Sequence, residues 1–325
     1  MILSAPQLAI VVDAEEEFDW SAPLSRDNRS TSSIVQQDPL HAIYDRLGVV
    51  PTYVVDYPVV TDPAAVAYLA ALEREGRAEI GTHPHPWVTP PYEEEVSAAN
   101  SYLCNLPADL QRAKIVTLHR AIESAFGLKP AIFKAGRYGF GSATQAIITD
   151  LGYKVDCSHV PHTNFDRDGG PDYRGTPEHP FWLDRDRDLL EIPMTAGFFG
   201  VGASVGWRIS GLFDSRRAGR LRLPALLGRS GIVGRARLTP EGVSANEQRR
   251  LIRALHDQGQ RIFILSYHSP SLVPGHTPYV RDAAGLAVLV QTIEQVLSWF
   301  RDDLGGHFTT LTRIHADFSK ASPRD

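Results

Sequence analysis

The stretch "LAIVVDAEEEFDW", Leu8 to Trp20, runs from a short β-branched apolar segment into a cluster of acids with no turn residue between them. Such a run reads as a strand buried on both faces, and a parallel sheet is where both faces are covered. Asp13 then stands at the strand's C-terminal end, where an unpaired acid would be costly to bury. The chain repeats this pattern of an apolar run ending in polar or histidine residues. It recurs in "VVPTYVV" around Tyr53, "RAEIGTH" before His83, "AIFKAG" before Arg137, "LLEIPM" before Thr195 and "RIFILSYH" ending at His268. Between these runs lie "DPLHAIYDRLG", "DPAAVAYLAALEREG", the segment from Pro107 through "AKIVTLHRAIESAFG", "SATQAIITDLG" and "SANEQRRLIRALHDQG", all of helical character. The last opens with Ser244 and Glu247 at capping-box spacing, and glycines stand where helices commonly stop. Strands alternating with helices predict an α/β fold with a parallel sheet, and this many units fit a (β/α) barrel.

In a barrel the functional groups gather at the C-terminal ends of the strands, and Asp13, His83, Arg137 and His268 all stand there. "EIGTHPHPW", Glu79 to Trp87, adds a second histidine, His85, between two prolines that stiffen the backbone. Residues two apart on an extended segment point the same way, so His83 and His85 are placed to chelate one ion, with Glu15 as third ligand. A rigid turn carrying a merely hydrogen-bonded histidine is the alternative. Three protein ligands would leave a coordination position open for chemistry, and Asp13, two residues from Glu15, would serve as a separate base.

Composition narrows the class. With 43% hydrophobic, 22% charged and 9% aromatic residues over 325 positions, the chain is that of a globular protein. A net charge of -5 provides no global field for nucleic acid. Cys104 and Cys157 lie far apart, so neither a disulfide framework nor a zinc-thiolate site is indicated. No basic start or signal-length apolar run precedes Asp13, and no uninterrupted apolar run reaches about 18 residues, so a cytoplasmic protein without an anchor is expected. No linker divides the chain, and residues 1–325 are read as one domain with no obligate protein partner. The segment from Gly206 to Leu238 stands apart, rich in arginine and leucine with Asp214 as its one acid. It reads as a solvated helical insertion or as a basic surface for anionic membrane or a lipid-linked glycan.

Taken in order, "VDAEEEFDW", "EIGTHPHPWVTPP", "FKAGRYGFG", "YKVDCSHVP" and "ILSYHSPSLVPGHTPYV" resemble the polysaccharide deacetylases of carbohydrate esterase family four, with the NodB-type barrel. They look most like the subgroup associated with bacterial surface-polysaccharide synthesis (WalW-like). The resemblance spans roughly Leu8 to Val280 and lies in motif order. It implies hydrolysis of an N-acetyl group on an amino sugar of a polysaccharide or lipid-linked precursor. Asp13 would be the base, Glu15, His83 and His85 the ligands of a divalent metal with zinc expected, and His268 the acid. Where the family commonly has a second acid directly after the base, this chain has Ala14, so the ligand role passes to Glu15. Four residues after His83, where the family's second histidine usually stands, is Trp87, so His85 must substitute. Lys134 or Arg137 would hold Asp13 ionised, with Arg137 preferred for its fork. A backbone N–H near Tyr138 would bind the acetyl oxygen, and Tyr138, Trp87, Trp20 and His276 would line the sugar groove. A metal-independent amidase and a glycan-binding degenerate deacetylase are the rival readings.

Overall fold

The computed structural model describes residues 5–186, 188–203, 206 and 232–321. In chain order the elements are β1 (Gln7–Ala14), α1 (Asp38–Leu47), β2 (Thr52–Val55), α2 (Tyr57–Thr61), α3 (Pro63–Arg74), β3 (Glu79–Thr82), α4 (Ala108–Phe126), β4 (Ile132–Phe133) and α5 (Ser142–Leu151). There follow β5 (Val155–Asp156), β6 (Phe181–Trp182), β7 (Leu190–Glu191), β8 (Ala196–Phe199), β9 (Gly234–Arg237), α6 (Ala245–Asp257), β10 (Ile262–His268), α7 (Ala283–Asp302), β11 (His307–Phe308) and α8 (Leu311–Ala321).

The sheet runs β10-β1-β2-β3-β4-β5-β7-β6, with β11 paired to β1 and every junction parallel except β6 to β7. It curls into a half-barrel with helices outside, and among the described residues no pairing of β10 with β6 closes it. Register carries the strand ends into one line. Asp13 pairs with His268, Val55 with Thr82, Thr82 with Phe133, Phe133 with Asp156, and Asp156 with Glu191. His83 and Lys134 each follow one of these paired residues directly.

The period of two along a strand decides which face each side chain meets. Leu8, Ile10, Val12 and Ala14 of β1 pack outward with Phe263, Leu265 and Tyr267 of β10 under the helices. Ala9 and Val11 face the concave side with Ile262 and Ile264. Asp13 and His268 continue the concave series, so the two polar ends meet inside the curl.

The five helices expected between the apolar runs all form. Ser244 and Glu247 make the reciprocal capping box of α6, and α1, α4 and α5 close on left-handed Gly48, Gly127 and Gly152. The sequence pattern missed α7, whose apolar and β-branched residues blur its period. Its length and composition would suit a membrane span, but Leu289, Ile293, Val296, Leu297 and Phe300 are buried in the same core as β1. Cys104 and Cys157 are free thiols. Of the arginine- and leucine-rich insertion expected at 206–238, residues 207–231 lie outside the described residues. Its final residues are not helical: Gly234–Arg237 is strand β9, paired antiparallel with β8.

Candidate active site

Asp13 is buried at the end of β1, and both of its oxygens accept from Lys134 Nζ, at 2.5 and 2.6 Å. Burial opposes ionisation, but the Lys134 ammonium, with His83 and His268 beside it, holds the carboxyl at about 2. Arg137, the expected partner, does not reach it. Arg137 and Tyr138 both take left-handed φ values, 52° and 62°, which turn the loop away after Gly136. The guanidinium donates instead to Ser101 Oγ at 2.8 Å and Tyr102 Oη at 3.2 Å. Lys134 follows β4 directly and is therefore aimed into the curl.

His268 ends β10 with Nε2 3.6 Å from Asp13 Oδ2. Its Nδ1–H donates to Glu241 Oε2 at 2.8 Å, and its backbone N–H donates to Glu241 Oε1 at 3.0 Å. Burial favours the neutral ring, but Glu241, Glu15 and Asp13 together raise its pKa well above the ordinary histidine value. Glu241, which also accepts from Ser271 Oγ at 2.5 Å, had no signal in the sequence because it arrives from the loop before α6.

Glu15, His83 and His85 converge. Glu15 Oε2 lies 3.7 Å from His83 Nε2 and 3.4 Å from His85 Nε2, all three residues being buried. The far nitrogens are occupied: His83 Nδ1–H donates to the Lys134 carbonyl at 2.8 Å, and His85 Nδ1–H to Glu16 Oε2 at 2.7 Å. That assigns both Nε2 atoms to the shared space as acceptors. Glu15 Oε1 is buried without a hydrogen-bond partner. A buried carboxylate with one oxygen facing two imidazole lone pairs and its other oxygen orphaned is the donor set of a divalent metal, and the residues fit one.

Trp87, at the position where a second histidine was expected, is a brace. Its indole N–H donates to Glu16 Oε1 at 2.7 Å, and its ring stacks on His85 at 4.3 Å between centroids. Gly136 is required on the other side, because a Cβ there would come within 2.3 Å of His85 Cδ2 and 2.6 Å of the Pro84 carbonyl.

Asp13, Glu15, His83, His85, Lys134 and His268 line a cavity of about 370 Å³. Trp20 stands edge-on to His268 at 5.2 Å and to Tyr279 at 5.7 Å, and Tyr138 lies beneath Lys134 Nζ at 5.1 Å. The backbone N–H of Tyr138 is engaged by the Ala135 carbonyl at 2.9 Å, so the acetyl-oxygen donor expected near this residue is not Tyr138 itself. His276 lies outside the cavity, on a neighbouring cleft of about 840 Å³ shared with Trp20, and faces Glu17 at 3.3 Å.

Asp156, at the end of β5, belongs to a second cluster. His159 Nδ1 lies 2.8 Å from Glu191 Oε2 and 3.7 Å from Asp156 Oδ2. Asp156 also accepts from Ser158 Oγ at 2.7 Å, and Ser158 Oγ accepts from the Ala135 N–H at 2.8 Å, tying the cluster to the loop that carries Gly136.

No protein-family model and no curated protein matches the chain. Solved structures do. A protein from Mycobacterium smegmatis assigned as a polysaccharide deacetylase is similar over 99% of this chain and 96% of its own, with a TM-score of 0.56 at 18% identity. Another so assigned, from Pseudomonas aeruginosa PAO1, is similar over 98% of this chain and 92% of its own, with a TM-score of 0.53 at 13% identity. At such identities the likeness is one of architecture, and on it this chain has the curled (β/α) barrel fold of the polysaccharide deacetylases.

Proposed function

We propose that the chain hydrolyses the N-acetyl group of an amino sugar in a glycan. The observation that carries this reading is a lysine-held carboxylate, Asp13, and a glutamate-held histidine, His268, on paired positions of β1 and β10 with 3.6 Å between them. Asp13, ionised and shielded from protonation by Lys134, accepts the proton of the attacking water. His268, kept protonated and oriented by Glu241, donates a proton to the departing amine. Glu15, His83 and His85 would hold a divalent metal, which when bound polarises the amide carbonyl and lowers the pKa of water. Trp20 and Tyr279 give the sugar flat faces and, with Tyr138, keep bulk water from the reacting groups.

The same proposal takes zinc as the ion and a surface polysaccharide or its lipid-linked precursor as the substrate. It also takes a cytoplasmic location, with the basic insertion resting on anionic membrane. Acetate release from N-acetylglucosamine oligomers, assayed with and without added zinc, tests it. Wild type should release acetate, and Asp13→Asn should lose about 10²-fold or more while still binding metal. Full activity in Asp13→Asn would sink the base assignment, and oligomer binding with no acetate release would leave a glycan-binding protein.

A further inference from the structure

Of the cations that line the cavity, all but one face an acid among the described residues. Asp13 is held by Lys134, and Asp168 lies 3.7 Å from Arg137. Asp19 accepts from the Ser21 N–H at 2.8 Å and Oγ at 2.6 Å, Glu15 faces His83 and His85, and His268 is bonded to Glu241. Arg237 remains. It is partly buried and lines both the catalytic cavity and an adjoining cleft of about 400 Å³ that shares Tyr138, His268 and Tyr279. Among the described residues its side chain makes no ion pair or hydrogen bond. Its contacts are with rings: the guanidinium carbon is 5.3 Å from the centroids of Tyr138 and Phe165, which stack on each other at 5.3 Å and 19°.

The backbone beneath Arg237 is held by its pairing with Ala196 in the β8–β9 hairpin. A guanidinium lying on aromatic faces keeps its N–H edges free, and that planar fork matches carboxylate or phosphate oxygens bidentately. A neutral sugar offers no counter-charge to a partly desolvated cation, and leaving one unpaired is costly.

We propose that Arg237 is an anion-recognition residue, so that the glycan this site takes carries a carboxylate or phosphate group near its N-acetyl group. This rests on the deacetylase reading and narrows its substrate class to anionic amino sugars, either sugar acids or sugar phosphates.

Titration calorimetry at low salt tests it with three probes: methyl N-acetylglucosaminide, N-acetylglucosamine 1-phosphate, and the methyl glycoside of an N-acetylated amino-uronic acid. At least one anionic probe should bind wild type roughly tenfold or more tighter than the neutral one. Arg237→Gln, with its fold checked by thermal melting, should bring the anionic affinities down to the neutral value. Arg237→Lys should retain only part of the preference, because an ammonium lacks the fork. Preference for the phosphate supports a sugar-phosphate source, and preference for the carboxylate supports a sugar acid. Equal affinity for all three probes in wild type overturns the proposal. So does a preference that survives Arg237→Gln, the result expected if the anion sits on a metal ion instead. Binding is read without turnover, so release of acetate from none of the probes would count against the deacetylase reading and leave the anion site standing.

Discussion

Lys134 and Asp13 meet as a buried ion pair delivered by two strands that are not neighbours, β4 and β1, with the ammonium 2.5 and 2.6 Å from the two carboxylate oxygens. Neither side chain has an alternative partner in water, since their exposures are 1% and 5%. Removing one member leaves the other charged and uncompensated.

Lys134→Met should therefore destabilise the fold by about 3–5 kcal/mol, while Asp13→Asn with Lys134→Met should recover most of that loss. Chemical denaturation of the two single variants and the double variant checks this, and strictly additive losses would contradict the pair. Asp13 has a depressed folded pKa, so its stabilising contribution is present above the ordinary carboxylate value of 3.8 and lost as pH falls towards about 2. The stability gap between wild type and Asp13→Asn should close over that window.

Glu241→Gln removes the carboxylate that raises His268 while keeping a hydrogen-bond acceptor beside Nδ1. Deacetylation should fall about 10–100-fold, and the alkaline limb of the rate profile should move to lower pH as the His268 pKa drops. An NMR titration of the His268 ring separates this from a packing defect, because a merely structural role for Glu241 would leave the ring's pKa in place.

Gly136→Ala should lower divalent-metal affinity by about tenfold or more, since its Cβ would collide with His85 Cδ2. Trp87→Phe should produce a loss of similar size by removing the 2.7 Å bond that steadies Glu16 against His85. Competition with a chromophoric chelator measures both. A wild-type protein that takes up no divalent ion would remove the metal from the account.

His159 ties together two fully buried acids, and His159→Ala should destabilise by about 3–5 kcal/mol by leaving Glu191 and Asp156 unmatched. Burial favours the neutral ring, but Glu191 and Asp156 push its pKa up to about 10. A raised folded pKa gives stability that is full below the ordinary value of 6.5 and lost as pH rises through about 10. Melting temperatures at pH 7 and pH 10 should converge between wild type and His159→Ala, and an equal gap at both would refute the ionic role.

Asp13, Glu15, His83, His85 and His268 were legible because each lies within a few residues of the end of an apolar run, and a parallel sheet brings such ends to one rim. The partner of Asp13 was not. Lys134 and Arg137 are three residues apart, and the left-handed turn at Arg137 and Tyr138 carries Arg137 to Ser101 and Tyr102 while Lys134, directly after β4, reaches Asp13.

The sequence by itself determined the alternation of strand and helix, the concave parity of Asp13 and His268, and the pairing of two histidines across Pro84. Those are properties of local period and backbone stiffness, which neighbouring residues set. The tertiary structure alone decided that Glu241 orients His268 from 27 residues away, that Trp87 braces His85 through Glu16, and that Arg237 lies on the Tyr138–Phe165 stack. Charge pairing and ring stacking depend on distances of a few ångströms between segments remote along the chain, and no spacing in the sequence encodes those distances.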